Sequence, residues 1–311
     1  MRSRGWNRKY WDILDQLYWS PKYVGLTSVR QSLLERSADR VSIPGEILPA
    51  GGAIYVRRRK AAAHQDWLRG QEEILNHVFD LTYGIAPDSL IETCFLSPLG
   101  LADGGPFSSV GREVRSRYGW TESDNVTQQD GLFVGVGCAV GVELKLGASS
   151  SPSQIIKYAS LMAWEEILAG RQLDPGLLFV LPTEDHSRHW KTCKLDGPCV
   201  DRRLLAEVAP EQFPKRIREF LLQNGQHVES VLDRLQLGAI SWSGLRATLV
   251  VYASTLDPAR PGDQTLQRLI EGLVCQIEEH QGTGLLDRPL SVEGDRGEGA
   301  VDFGLRPDDR G

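Results

Sequence analysis

No stretch of the 311-residue chain approaches the roughly 20 consecutive apolar residues of a membrane-spanning helix. The N-terminal Met1-Arg2-Ser3-Arg4-Gly5-Trp6-Asn7-Arg8-Lys9 also leads on without a secretory apolar region. These two absences set the expectation of a soluble, cytoplasmic chain with no membrane partner. Cysteine is sparse and odd in number: Cys94, Cys138, Cys193, Cys199 and Cys275 lie far apart, unlike a secreted disulfide framework. Reduced thiols or a local metal site remain. A basic excess is lacking too. The formal charge of −6 argues against indiscriminate coating of nucleic acid, which Lys and Arg drive by releasing counterions. It leaves room for an acidic metal site with basic residues clustered around it. There are no internal repeats and no helicase or nucleotide-binding motif. Gly104-Gly105 and Gly135-x-Gly137 are turn glycines without a strand-to-helix phosphate loop around them.

What is present is enough apolar material, 41% hydrophobic against 24% charged residues, for one main α/β domain: a mixed central sheet flanked by helices. Residues 1–60 read as a partly helical extension, rich in aromatics (Trp6, Tyr10, Trp11, Tyr18, Trp19, Tyr23) and in basic residues. Pro44, Pro49 and Gly51-Gly52 break that pattern before the run Arg57-Arg58-Arg59-Lys60. The domain spans 61–280, and 281–311, dense in Gly, Asp and Arg, reads as a mobile tail.

Within the domain a first helix carries Leu68, Leu75, Val78 and Phe79 on one face, with Glu72 beside them and Glu73, His77 and Asp80 on the polar side. A strand is expected over 89–96, then a long loop to about Asn125. Next come a hairpin of 129–136 and 139–146, a helix over 153–169 capped by Ser153, and a buried strand over 176–182. Helices at 201–209 and 212–235, a strand at 246–254 and a helix at 263–280 complete the expectation.

The hairpin is where chemistry concentrates. It reads Gln129-Asp130-Gly131-Leu132-Phe133-Val134, then Val142-Glu143-Leu144-Lys145-Leu146. Residues two apart in a strand share a face, so Glu143 and Lys145 point one way while Val142, Leu144 and Leu146 point the other. A charged pair on an apolar strand is costly unless paired, hydrated or metal-bound. Asp130 on the partner strand can add a second carboxylate, making a hard oxygen site suited to Mg²⁺ or Mn²⁺. Such an ion polarises a phosphodiester and acidifies a bound water, while Lys145 positions the water or balances transition-state charge. In the following helix Gln154 and Tyr158 are four residues apart, hence neighbours, and Gln154 is in the first turn.

This order of Asp, hairpin and Glu-x-Lys resembles the core signature of the PD-(D/E)XK nuclease superfamily, with Gln129 where proline often stands. Gln154-x-x-x-Tyr158 is similar to the Gln-x-x-x-Tyr motif of its RecB-like and λ-exonuclease-like branches. The resemblance covers roughly 72–182. It implies a restriction-endonuclease-like core and a metal-dependent deoxyribonuclease of defence, restriction, repair or mobile-element processing. Asp130, Glu143, Lys145, Gln154 and Tyr158 would be catalytic, with Asp130, Glu143, the Leu144 carbonyl and the acidic Glu72 toward the metal. DNA is the implied partner, and any motor would be a separate helicase or other system component. The alternative is a non-catalytic nucleic-acid-binding or scaffolding module that keeps the fold.

Weaker signals surround this core. Lys157 and the run Arg57, Arg58, Arg59 and Lys60, with Arg112, Arg115 and Arg117, can track phosphates or simply be solvated. The N-terminal aromatics can stack on bases, pack on the core, or pack on a second subunit in a homodimer. His186, His189, Cys193 and Cys199 supply the ligand types of a structural Zn²⁺ site, though at unusual spacing; a polar loop with incidental His and Cys is the simpler reading.

Overall fold

The computed structural model describes residues 72–102, 105–110, 118, 130–146 and 150–285. The aromatic extension, Arg57–Lys60, Arg112, Arg115, Arg117 and residues 286–311 lie outside the described residues. Among those described, five strands form one open, mixed sheet in the order β1 (Ser108–Ser109), β2 (Gly131–Val134), β3 (Cys138–Leu144), β4 (Asp174–Leu181) and β5 (Gln236–Ser241). The β1–β2 and β2–β3 pairs are antiparallel, whereas β3–β4 and β4–β5 are parallel. Parallel neighbours need long crossovers, and helices provide them. All seven residues of β3 are buried, as befits the central strand of a sheet covered on both faces.

Helices α1 (Glu72–Ile85) and α2 (Asp88–Ile91) precede the sheet, α3 (Pro152–Ala169) joins β3 to β4, and α4 (Ser187–Thr192), α5 (Arg203–Ala206) and α6 (Lys215–Leu232) join β4 to β5. Helices α7 (Trp242–Ser254) and α8 (Pro261–Glu279) follow. Two apolar layers result. Leu132, Leu177, Phe179 and Leu181 pack against α3 and α6, while Val140, Val142, Leu144, Leu178 and Val180 pack against α1, α7 and α8. No helix among the described residues is long and apolar enough to cross a membrane.

Two expected strands are helical. Residues 89–96 form α2 and a π-helical turn, Glu92–Leu96, because their buried residues Leu90, Ile91, Cys94 and Phe95 follow a helical period, not alternation. The Thr93 hydroxyl bonds the Ser89 carbonyl one turn back. Residues 246–254 belong to α7, capped by the Ser241 Oγ that accepts the Gly244 N–H, with Trp242, Leu245 and Leu249 on its buried face. The fifth strand is instead Gln236–Ser241. The cap of α3 is Ser151, two residues ahead of Ser153, with Pro152 at the first helical position. Residues 281–283 form a short 3-10 turn in which the buried Thr283 bonds the carbonyls of Ile277 and His280.

Candidate functional site

Gly131 pairs with Val142 across the hairpin, and one further step of that register sets Asp130 opposite Glu143. The Asp130 carboxylate is held from two elements. Its Oδ2 accepts the Leu144 N–H at 2.7 Å, and its Oδ1 accepts the Asn76 side-chain Nδ2 of α1 at 2.5 Å. Glu143 and Lys145 are 7% and 5% exposed, and Lys145 Nζ lies 2.6 Å from Glu143 Oε1. The end of β3 that carries them is pinned on both sides: the Lys145 N–H donates to Val180, and the indole of buried Trp242 donates to the Lys145 carbonyl at 2.8 Å.

Helix α3 brings the remaining groups. Gln154 Nε2 donates to Glu143 Oε1 at 2.5 Å, and the Tyr158 hydroxyl is 2.8 Å from both Glu143 Oε2 and the Val142 carbonyl. Gln154 is also the reciprocal member of the Ser151 capping box, its Oε1 accepting the Ser151 N–H at 3.1 Å. The cap therefore settles the orientation of the carboxamide: oxygen to the helix end, nitrogen to Glu143. Tyr158 reaches Glu143 by lying flat over Gly141, where an added Cβ would sit 2.4 Å from the ring. Any side chain there would push the tyrosine off the strand.

Burial shapes the electrostatics. The Tyr158 hydroxyl is raised well above its ordinary pKa by burial first and by the charges of Glu143 and Asp130 next. It stays a proton donor. Lys157, half-buried on α3, is lowered by burial; the negative charge of Glu143 opposes that and Lys145 adds to it.

A second wall comes from α4. The His189 ring lies 4.3 Å, centroid to centroid, from Phe179, which is the register partner of Glu143 in β4. Burial, aided by the charges of His186 and Lys145, lowers the His189 pKa to about 4. Its Nε2 is 3.9 Å from Cys193 Sγ, a thiol that burial pushes up to about 11. Cys193 is buried but Cys199 is exposed. Among the described residues no three His, Cys, Asp or Glu side chains are grouped to hold a metal ion, so His186, His189, Cys193 and Cys199 are not gathered as a ligand set.

Asp130, Glu143, Lys145, Gln154, Tyr158 and Lys157 thus converge, and Leu144 adjoins Asp130 through its own N–H. Glu72 opens α1, but its side chain is not among those described. Asn76, Ser151 and Trp242 join the site without having been singled out from sequence. Only Asn76 carried a signal there, since it falls four residues after Glu72 on the same helix face. Comparison with family models, curated proteins and solved structures finds no match to this chain.

Proposed function

We propose that the chain is a divalent-metal-dependent nuclease hydrolysing phosphodiester bonds of DNA, on a restriction-endonuclease-like core of the PD-(D/E)XK kind. The observation that carries the reading is the meeting of Lys145, Gln154 and Tyr158 on the single carboxylate Glu143, one register step from Asp130. A bare Glu-x-Lys on a strand is commonplace; three donors from two elements converging on it are not.

The donor set fits a hard cation. Asp130, Glu143 and the Leu144 carbonyl are all oxygen donors, with Glu72 as a further acidic residue, and Mg²⁺ takes only one or two protein carboxylates. Mg²⁺ or Mn²⁺ held there would polarise the phosphodiester and acidify a water. In this reading Asp130 and Glu143 hold their orientation through the neighbouring donors, and Lys145 positions the attacking water or balances charge on the phosphate. Gln154 and Tyr158 fix the rotamer of Glu143. Lys157 adds a cation on the α3 side, and Arg188 and Lys191 are exposed on α4 with no ion-pair partner among the described residues. These fit a polyanion such as DNA.

One observation favours a second reading, a non-catalytic nucleic-acid-binding or scaffolding module. Glu143 is buried and hydrogen-bonded wholly within the protein, so its charge is compensated without a metal. Linear, circular and single-stranded DNA incubated with Mg²⁺ or Mn²⁺ separates the two. The nuclease reading expects metal-dependent cleavage by the wild type, lost in Lys145→Ala and in Asp130→Asn, both checked for folding by circular dichroism. Binding without cleavage in either metal would favour the module, and undiminished cleavage by folded Lys145→Ala would remove the proposed role of that lysine. Cutting of the circular substrate would mark an endonuclease.

A further inference from the structure

Glu143 and its register partner Phe179 turn to the same side of the sheet, the side covered by α3. Glu143 reaches Gln154 and Tyr158 there, and Phe179 packs in the same apolar layer. Adjacent strands lie about 4.8 Å apart, so the two side chains are immediate neighbours. His189 of α4 stands on Phe179, its ring 4.3 Å away centroid to centroid. The charge of Lys145 reaches both His189 and Cys193, and the hydroxyl of buried Ser150, just ahead of the α3 cap, acts on Cys193 as well. Glu143 and Lys145 thus have the start of α3 on one flank and α4 on the other.

The proton of the His189 ring can be placed. Burial pushes the pKa of the Cys193 thiol up to about 11, so the thiol keeps its hydrogen and donates it to His189 Nε2, 3.9 Å from Sγ. Burial also lowers the imidazole to about 4, so at neutral pH the ring carries a single proton, and that proton is on Nδ1. Nδ1 makes no hydrogen bond among the described residues, and it is not shut off from solvent as His186 Nε2 is. An N–H donor is left open near Lys145, with exposed Arg188 and Lys191 beside it on α4. A neutral donor in this place suits a phosphate oxygen: the acceptor's charge strengthens the bond, and no further cation is set against Lys145 or a metal ion.

We propose that His189 is a substrate-binding residue whose Nδ1–H donates to a non-bridging phosphate oxygen of the DNA strand lying at Lys145, so that the strand is held between α3 and α4. The inference rests on the nuclease reading above and deepens it by giving α4 a direct contact with the substrate. The imidazole keeps its proton throughout.

The test uses the full chain with ¹⁵N-labelled histidine, whose imidazole resonances report which nitrogen carries the proton; loss of the signal in His189→Phe assigns it. The free protein is expected to show the Nδ1–H form, and that resonance should move when single-stranded or duplex DNA is added with Ca²⁺ as the sole metal. His189→Phe keeps a ring on Phe179 but removes the donor, and should weaken DNA binding by about 10–100-fold. His189→Asn, whose amide nitrogen stands near the Nδ1 position, should recover much of that loss. His189→Gln, whose amide reaches instead toward Cys193, should not. A proton on Nε2 in the free protein, or wild-type DNA affinity in folded His189→Phe, would overturn the inference and leave metal-dependent cleavage standing. A wild type that neither binds nor cuts DNA would overturn both.

Discussion

At Glu143 a carboxylate with 7% exposure is surrounded by donors, and each of them can be removed singly. Deleting one partner of a buried pair leaves the other uncompensated, which costs more than the pair is worth intact. Lys145→Ala is therefore expected to lower stability by about 3–5 kcal/mol in urea unfolding, and Glu143→Leu with Lys145→Met by clearly less. Gln154→Glu separates capping from donation. Glutamate serves the capping box as well as glutamine does, but it sets a second carboxylate against Glu143. One of the two must then bind a proton more tightly folded than unfolded, so its folded pKa lies above the unfolded value. The stabilising proton is held at low pH and lost as pH rises through that folded value. The variant should be about 1–3 kcal/mol less stable than wild type at neutral pH and close the gap as pH falls toward 5, read from melts across pH.

At the scale of elements, α3 acts through both ends. Its first turns carry Gln154 and Tyr158; its last carries buried Glu166, which accepts the Leu173 N–H, the Arg234 guanidinium at 2.8 Å and the His227 ring at 2.8 Å. Glu166→Ala, far from the candidate chemistry, is expected to cost about 1–3 kcal/mol, chiefly by leaving the buried Leu173 N–H without its acceptor, while the partly exposed Arg234 keeps the Ser230 and Leu173 carbonyls. If stability is restored by cooling or by glycerol, Mn²⁺ affinity should be unchanged. The elements also divide by how far they were legible. The hairpin, α3 and β4 follow from sequence because alternation, a capping serine and a short apolar run are local signals. Residues 89–96 and 246–254 are rich in β-branched and apolar groups, and tertiary packing overrode that propensity, leaving Val251 of α7 64% exposed. Asp130, Glu143 and Lys145 were legible from the strand period and Gln154 and Tyr158 from the helix period. The contact of Asn76 with Asp130, 54 residues apart, has no local signature.

For the whole molecule, helices on both faces of the sheet leave the polar side chains of the site enclosed by apolar layers, and this has a signature in acid. His189, wedged among Phe179, Trp190 and Cys193, has a folded pKa near 4 against an ordinary 6.5. The unfolded chain takes up the proton first as pH falls, so stability is full above about 6.5 and drains away toward 4. His189→Phe is expected to flatten that decline in melting temperature while Cys193 and Trp190 still pack. Time offers a different view of the hairpin. Asp130, Glu143 and Lys145 sit within one short hairpin, the kind of unit that closes in about 1–10 μs, whereas Gln154 and Tyr158 arrive only when a helix has crossed over and docked. A refolding chain would bring Asp130, Glu143 and the compensating Lys145 together before Gln154 and Tyr158 arrive to fix the orientation of Glu143. Mutations in the hairpin should then change mainly the folding rate, and Gln154→Ala mainly the unfolding rate. Stopped-flow chevrons read that order directly; a slower folding arm in Gln154→Ala would reverse it.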